Sequence, residues 1–351
     1  MRPLTRHVLL LGGGQTLGYA SSYYLPALLA APMAQDTGLP LAWAFAAFSL
    51  ALIVSGVVGP AAGRAVDRYG GRRVLLLSNL LFAAGLLAMA GAQGPVSLFA
   101  AWGVLGLAMG AGLYESAFAA LVGLYGHGAR GGITGITLLG GFASTVGWPL
   151  SAWMEVHWGW RGACLGWAAL HLLVGLPLHA WLPRQSPAKP HPGNAPTSSD
   201  NASARTLPTL PAPARAQRTT LILSLVFAVA WFGSTALATH LPQLLQADGL
   251  ALPHAVAVAS LVGPAQVAGR LLDFGLLRRL HPLLAAKLAA AAHPVGAVLL
   301  LLLGAPAALA FTLLHGAGNG VLTIAKGTLP LLYFGTQGYG ERQGVLMVPA
   351  R

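Results

Sequence analysis

Acidic residues are scarce in this chain: only 8 Asp and Glu residues occur among 351 positions, and charged residues of both signs make up 8%. A typical soluble domain carries about 25% charged residues, so this composition excludes an ordinary soluble fold. The hydrophobic share of 56% is also more apolar surface than a soluble globule can bury. Together these values predict a membrane protein that crosses the bilayer many times.

Cysteine is nearly absent as well, and the single Cys164 excludes an internal disulfide and any cysteine-based metal site. The 11 histidines are scattered, with no His-x-x-His or His-x-x-x-His pair that would suit a metal-dependent membrane enzyme. The sequence contains no Walker motif, which argues against an ATP-driven pump. We therefore expect no metal, no other cofactor and no enzyme activity.

Basic residues outnumber acids, giving a formal net charge of +12. The bases fall in short loops between apolar segments, which indicates contact with a membrane surface and not with nucleic acid. If the N-terminus is cytoplasmic, the opposite loops carry Arg161 beside three acids, whereas the cytoplasmic loops carry ten arginines: Arg2, Arg6, Arg64, Arg68, Arg72, Arg73, Arg130, Arg278, Arg279 and Arg342. This asymmetry predicts a cytoplasmic N-terminus. The Ala-, Gly- and Arg-rich composition favours a bacterial inner membrane.

Ten apolar segments are long enough to span a membrane, which takes roughly 20 residues each. Six lie in an N-terminal half, residues 1–182, at about 7–33, 41–64, 74–92, 96–125, 133–154 and 162–182. Four lie in a C-terminal half, residues 219–351, at about 219–246, 253–274, 283–303 and 306–334. Residues 183–218 are rich in Pro, Ser, Ala and Asn and cannot bury a core, so they predict a disordered cytoplasmic linker.

A cluster of charges between the second and third spans organises the chain. Gly63 and Asp67 stand four residues apart, so a helix places both on one face, where the glycine lets another helix come close. Asp67 can then pair with a neighbouring arginine or face the N-terminal end of an adjacent helix, which favours negative charge. The residues that follow permit a chain reversal and anchor the next helix at the lipid headgroups: Gly70, Gly71, Arg72 and Arg73.

This block resembles the loop between helices 2 and 3 of the major facilitator superfamily of secondary transporters, whose pattern is Gly-x-x-x-Asp-Arg-x-Gly-(Arg)-Arg-Arg. Here the pattern runs from Gly63 through Asp67 and Arg68 to Arg73, and Gly71 replaces a usual base. The resemblance implies an all-α membrane fold of two six-helix bundles, with the substrate site between them near mid-membrane. It also implies that Asp67 and Arg68 hold the halves together on the cytoplasmic side in the outward-open state.

The two halves repeat weakly, as in this superfamily. Residues 59–67 and 263–273 both contain Gly-Pro followed by Gly-Arg-x-x-Asp, and the loop at 128–131 has a counterpart at 340–344. Twelve spans are the norm in the superfamily, and the sequence ends at Arg351, where an eleventh span is expected. We therefore expect a second bundle that is cut short and a chain that is a fragment.

By the same resemblance, the first, fourth, seventh and tenth spans line the central cavity, so their polar residues are candidates for the substrate and proton pathway. On the first span, Gln15 and Tyr19 belong to one helical stripe and Tyr23 adjoins it. Packing between helices explains this stripe as well as substrate contact does. The seventh span offers Trp231 and His240. His240 can titrate near neutral pH, although a hydrogen bond to backbone freed by a nearby proline explains it more simply.

Two charged residues stand out within the spans. Glu115 is expected to be the one acid inside a span, and loss of water favours the protonated carboxyl, which suits a proton carrier. Its alternative role is a structural ion pair or hydrogen bond. Lys326 is expected to attract an anion or to pair with Glu115, unless its long side chain snorkels to the cytoplasmic face. Lys326 ends a polar stripe on the tenth span whose other members are His315, Asn319 and Thr323.

The expected function is secondary active transport of a small organic solute by alternating access, coupled to protons. The solute is expected to be an anion if Lys326 contacts it. The expected partners are this substrate, protons and the bilayer, and the expected state is a monomer. A sensor built on a transporter scaffold, or another non-transporting membrane protein, would share these sequence features, and a flux assay with and without a proton gradient separates them.

The predicted topology places Ser198, in the linker, in the cytoplasm, because the arginine-rich loops lie on that side. In a Cys164→Ala background, a Ser198→Cys variant should resist a membrane-impermeant thiol reagent in intact cells and react after lysis. Ready labelling in intact cells would overturn the orientation.

Overall fold

The computed structural model of the protein describes residues 3–184, 213–277 and 280–350, and these ranges are helical and contain no β-strand. Most of the predicted linker, together with Arg2, Arg278 and Arg279, lies outside the described residues. The helix after the linker begins at Pro213, earlier than the expected start at residue 219. The expectation of an all-α membrane fold is confirmed.

Fifteen α-helices occur in the described part of the chain. Those of the N-terminal half are α1 (Pro3–Ala20), α2 (Pro26–Thr37), α3 (Leu41–Tyr69), α4 (Gly71–Ala90), α5 (Pro95–Gly112), α6 (Tyr114–Tyr125), α7 (Arg130–Gly140), α8 (Ala143–Leu170) and α9 (Leu176–Ala180). Those of the C-terminal half are α10 (Pro213–Ala247), α11 (Leu252–Ser260), α12 (Val262–Gly275), α13 (Pro282–Leu303), α14 (Ala308–Phe334) and α15 (Tyr339–Met347).

Seven helical stretches in the described residues are long and apolar enough to cross a membrane. One of them, Pro95–Ala180, holds the predicted fourth to sixth spans, so the seven stretches account for spans two to ten. The first predicted span corresponds to α1 and α2. Large apolar side chains such as Val57, Leu173 and Leu301 are exposed on the outside of the helices, as contact with lipid requires.

Four predicted spans contain a break: the fifth at residues 141–142, the eighth at Leu261, and the first and fourth near their middle. The first span breaks between Ala20 and Pro26, where Ser21 and Ser22 bond with their hydroxyls to carbonyls of the preceding turn. The fourth span breaks at Leu113, a single extended residue between α5 and α6. A break inside a membrane is stable where it faces protein or a cavity, and the breaks in the first and fourth spans point to the interior of the bundle.

The sixth predicted span is continuous with the fifth in α8, and the chain changes direction inside it at Gly159. This residue has φ 69°, a left-handed conformation that glycine adopts without strain. Beyond α8 the helix passes through a π-helical turn at His171–Gly175 before α9. The expected boundary between these two spans therefore exists as a kink and not as a loop.

The two halves touch through a pair of glycine-lined helices, α3 and α15. Gly59 and Gly63 of α3 face Gly344 and Gly340 of α15, and a Cβ atom on Gly63 or Gly344 would collide with the opposite backbone. Glycines spaced four residues apart on both helices let the two backbones come this close. The contact closes the bundle at the end that carries Asp67 and Gly340, here called the Asp67 end.

The close approach of α3 and α15 should depend on the absence of a side chain at Gly63. Gly63→Ala forces a shift against Gly340, and overpacking of this kind costs roughly 1–3 kcal/mol. Its thermal unfolding temperature in detergent should therefore fall. The matched control is Gly103→Ala on α5, where a Cβ atom meets nothing within 4 Å. Equal unfolding temperatures for the two variants would contradict the role of the contact.

Candidate functional site

A cavity of about 210 Å³ lies between the two halves. One wall comes from the break between α1 and α2, from α3 and from the break between α5 and α6, and the other from α10, α14 and the residues after α15. Its lining includes Tyr19, Tyr23, Ser55, Leu113, Glu115, Trp231, Phe232, Thr235, Lys326 and Met347. A mostly apolar and aromatic surface with a few polar groups is typical of a site for a small molecule.

One ion pair joins the halves at the wall of this cavity. Nζ of Lys326 lies 3.1 Å from Oε1 of Glu115, and the two side chains are only 2% and 8% exposed. Glu115 stands in the first turn of α6, directly after the break at Leu113, where the helix dipole favours a carboxylate. Lys326 therefore does not snorkel in this structure: its ammonium group points into the bundle.

Aromatic rings surround the ammonium group of Lys326. Its Nζ lies 4.3 Å from the centre of the Trp231 ring and 5.1 Å from that of Tyr114. Both distances suit a cation–π interaction, which is stronger where water is excluded. The lysine is thus held by one carboxylate and two aromatic faces, one from each half.

Tyr19, from the polar stripe on the first span, and Tyr23, which adjoins that stripe, line the cavity. The Tyr19 ring packs on that of Tyr114 at 4.7 Å, and the Tyr23 hydroxyl lies 3.5 Å from the Thr235 hydroxyl of the other half. That second contact is too long for a strong hydrogen bond. A substrate can therefore replace it at little cost.

Gln15 lies behind the cavity wall and not in it. Its Nε2 donates a hydrogen bond of 2.9 Å to the carbonyl of Gly112, the last residue of α5. Breaking the fourth span at Leu113 frees carbonyls at the end of α5, and Gln15 satisfies one of them. Its place in the structure favours the packing alternative over substrate contact.

Asn319 and Thr323 of the stripe on the tenth span also stand outside the cavity lining. Asn319 donates from Nδ2 to the hydroxyl of Ser234 at 2.8 Å, which ties α14 to α10. The Thr323 hydroxyl donates to the carbonyl of Asn319 on its own helix. Asn319 therefore joins the helix that carries Lys326 to the helix that carries Trp231.

The two candidate histidines do not contact the cavity. His315 faces α13, where its Nδ1 lies 2.9 Å from Nδ1 of His293, so the two rings share one hydrogen bond. His240 is exposed near the end of α10 and lies beside Gln243 at 3.3 Å. Helical spacing placed His315 on the polar stripe of the tenth span, and His240 was a candidate of the seventh span, but neither side chain reaches the cavity lining.

The charged loop at the Asp67 end contacts the N-terminus of α15. The two carboxylate oxygens of Asp67 accept hydrogen bonds from the backbone N–H groups of Gly340 and Glu341, each at 3.0 Å. Arg64 pairs with Glu341 at 3.0 Å in an exposed salt bridge, which contributes little by itself. Of the two partners expected for Asp67, the structure therefore shows the helix N-terminus.

The remaining residues of the loop shape the turn and its surface. Gly70 has φ 85° and is the one residue between α3 and α4. Gly71 packs so closely on Ala120 of α6 that any side chain would collide, which explains why a base is absent there. Arg68 lies over the Tyr69 ring at 5.2 Å. Arg72 and Arg73 follow Gly71 in the first turn of α4, where Arg72 is half-buried and Arg73 is exposed.

Sequence reasoning missed two buried charges on α12. Arg270 is 5% and Asp273 8% exposed, so Glu115 is not the one acid inside a span and that expectation was wrong. Asp273 borders a small space together with Arg130 of α7. The sequence signal that could have revealed Asp273 was the Gly-Arg-x-x-Asp repeat between the halves. In that repeat Asp273 corresponds to Asp67, so it should lie opposite the loop before α7, the counterpart of the start of α15.

Comparison with known proteins agrees with this architecture. A profile of the Major Facilitator Superfamily matches residues 11–348, so the chain belongs to this superfamily of membrane transporters. It is a multi-pass membrane protein. A curated relative, an uncharacterized 38 kDa protein in a 23S RNA operon of Thermoproteus tenax, is 38% identical over 152 residues, which cover 43% of this chain and 39% of the relative's length.

Three solved transporters share the fold. FucP, the E. coli fucose:proton symporter, matches in its outward conformation with a TM-score of 0.70, 16% identity, and coverage of 98% of this chain and 89% of its own. The proton:xylose symporter XylE matches at 0.66 and 12% identity, covering 99% and 86%. The human organic anion transporter MFSD10 matches at 0.66 and 17% identity, covering 100% and 92%.

The hydrogen bonds of Asp67 predict a gate at its end of the bundle. Asp67→Asn keeps the shape but removes the charge and one of the two acceptor oxygens, so the contact with α15 weakens. We expect slower transport in vesicles and an apparent substrate affinity shifted by roughly tenfold, the equivalent of about 1.4 kcal/mol. Abundance in the membrane should not change. If Asp67→Asn transports at the wild-type rate, the loop acts only as a topogenic signal and not as a gate.

Proposed function

We propose that this protein is a secondary active transporter that carries a small organic anion together with protons by alternating access. The observation that carries the proposal is the buried pair of Glu115 and Lys326 at the wall of the cavity between the halves. An ion pair in such a place loses hydration and is retained where its charges have a use. The superfamily and the two symporters of the same fold support this reading.

Coupling follows from competition for Lys326. An anion that enters the cavity takes the place of Glu115 at the ammonium group. The released carboxylate is then left without its counter-charge in an apolar wall, where the protonated form is favoured. Substrate binding and proton uptake thus stabilise each other, because each removes an uncompensated charge. Release of both on the other side restores the ion pair.

The lining indicates the kind of anion. Tyr19, Tyr23, Trp231 and Phe232 offer flat aromatic faces, whereas the two charged groups of the lining, Glu115 and Lys326, meet at one point between the walls. This arrangement fits an apolar or aromatic body with an anionic group at one end. The human organic anion transporter of the same fold supports this substrate class.

The closed contact at the Asp67 end fits one state of the transport cycle. With the N-terminus in the cytoplasm of a bacterial inner membrane and the protein acting as a monomer, Asp67 seals the cytoplasmic side while the cavity faces outward. The match to FucP in its outward conformation supports this assignment. The Asp67 contact with α15 must break for the substrate to leave inward, as alternating access requires.

Benzenesulfonate is a suitable probe of the proposed function, because its sulfonate stays charged and does not cross the bilayer as a neutral acid. In proteoliposomes with an imposed pH gradient, we expect uptake of benzenesulfonate and related organic anions, with movement of protons in the same direction. Benzenesulfonamide, the neutral analogue, is the matched control. Uptake that is unaffected by the gradient would exclude proton coupling. Absence of anion flux across the series would favour a sensor.

A double-mutant cycle tests the ion pair itself. Glu115→Gln and Lys326→Gln each leave a buried charge uncompensated, which typically costs about 3–5 kcal/mol, whereas the double variant removes both charges. Each single variant should therefore unfold in detergent at a lower temperature than the double variant. In transport, Glu115→Gln should lose proton coupling. Additive effects on stability, or full coupling in Glu115→Gln, would show that the residues act independently.

A further inference from the structure

The guanidinium group of Arg270 is buried in α12 with few acceptors around it. The residue is 5% exposed, and its hydrogen bond in the structure runs from Nη2 to Oε1 of Gln266 at 3.5 Å, a long contact within its own helix. Its Nε is buried and has no acceptor among the described residues. Arginine carries five N–H donors and remains charged at any physiological pH, so most of its donors have no acceptor here.

The surroundings of Arg270 compensate its charge only in part. Nη1 lies against Gly141, the residue that follows α7, and the structure shows no hydrogen bond from Arg270 to an α7 carbonyl in the described part of the chain. The C-terminus of a helix favours a cation. No carboxylate in the described part of the chain pairs with Arg270, since the acid on its own helix, Asp273, faces Arg130 instead.

A buried cation without a counter-anion is unfavourable, and a group of this kind in a native protein calls for a partner. The glycine at position 141 leaves room for the guanidinium, because a Cβ atom there would collide with Nη1. The chain thus keeps a place for this charge without supplying a negative side chain to neutralise it. A ligand that carries negative charge is the partner that fits.

Arg270 lies on the far side of the aromatic wall of the cavity. The Tyr114 hydroxyl packs against Gly140, next to the glycine that Arg270 touches, while its ring faces Lys326. Tyr114 therefore separates two buried cations, one bordering the cavity and one at the contact between α7 and α12.

We propose that Arg270 is a second anion-binding residue in the transport route, which binds the carboxylate, sulfonate or phosphate group of the substrate when α7 and α12 separate. The inference rests on the proposed transport of an organic anion and adds a residue to its pathway. Arginine suits this role because its planar fork holds two oxygens of such a group at once. In the closed contact, Gly141 at the end of α7 lies against the guanidinium.

The test measures anion binding and flux in the full-length chain. Purified wild type, Arg270→Gln, Arg270→Lys and Lys287→Gln are heated in detergent with sodium benzenesulfonate or with neutral benzenesulfonamide. Lys287 is an exposed cation of neighbouring α13 and controls for the loss of one positive charge. The same four proteins are assayed for benzenesulfonate counterflow in proteoliposomes.

We expect benzenesulfonate, and not benzenesulfonamide, to raise the unfolding temperature of wild type and Lys287→Gln. Arg270→Gln should need at least tenfold more anion for the same rise, with Arg270→Lys in between, and should lose counterflow to a similar extent. Without ligand, Arg270→Gln should be as stable as wild type or more stable, because a buried unpaired charge has been removed.

Three results would overturn the inference. The first is an absence of anion-specific stabilisation in wild type. The second is unchanged anion stabilisation in Arg270→Gln, and the third is lower stability of that variant without any change in its anion dependence, which would mark a structural role. If the proposed transport is wrong but the inference about Arg270 is right, the anion still stabilises the protein in a way that depends on Arg270, but wild type shows no benzenesulfonate flux.

Discussion

A charge inside an apolar bundle is costly unless an opposite charge or a dipole compensates it, and the architecture of this protein depends on that constraint. Glu115 and Lys326 meet across the two halves, so the most costly groups of either half are stable only when the halves are together. Asp67 obeys the same constraint at the surface, where the N-terminus of α15 supplies two N–H groups. Both contacts join a residue of the first half to a helix of the second. The charges are therefore neutralised only when the two halves are in this relative position.

Breaks in the helices make this arrangement possible. The interruption at Leu113 creates a new helix N-terminus at α6, and Glu115 occupies its first turn. The interruption between α1 and α2 lets Tyr19 and Tyr23 turn toward the cavity. Gln15 donates a hydrogen bond to a carbonyl that the break in the fourth span leaves without a helical partner. The irregular backbone at the helix breaks therefore coincides with the proposed substrate site and with the residues that support it.

The contacts between the halves follow the internal repeat. On one side α3 meets α15 through Asp67, and on the other α7 meets α12, where Asp273 faces Arg130. The second contact also holds Arg270, whose counterpart by the repeat, Arg64, lies at the surface and pairs with Glu341. The two related segments of the chain therefore place Arg64 at the surface of the bundle and Arg270 in its interior. This asymmetry gives the two contacts different chemistry and leaves one buried cation for a ligand.

The amino-acid sequence alone determined the membrane class and the positions of the spans, because lipid strictly constrains hydropathy. It also determined the superfamily, because the Gly63–Asp67 spacing is a local property of the sequence. It also singled out Glu115 and Lys326, since isolated charges in apolar segments are conspicuous in any arrangement. Only the tertiary structure decided which polar residues face the cavity. Tyr19, Tyr23 and Trp231 line it, whereas His315, His240 and Asn319 turn elsewhere, because the rotation of a helix is set by its neighbours and not by its own period. The burial of Arg270 and the fit of Gly71 against Ala120 likewise depend on contacts between helices distant in sequence, which no local pattern records.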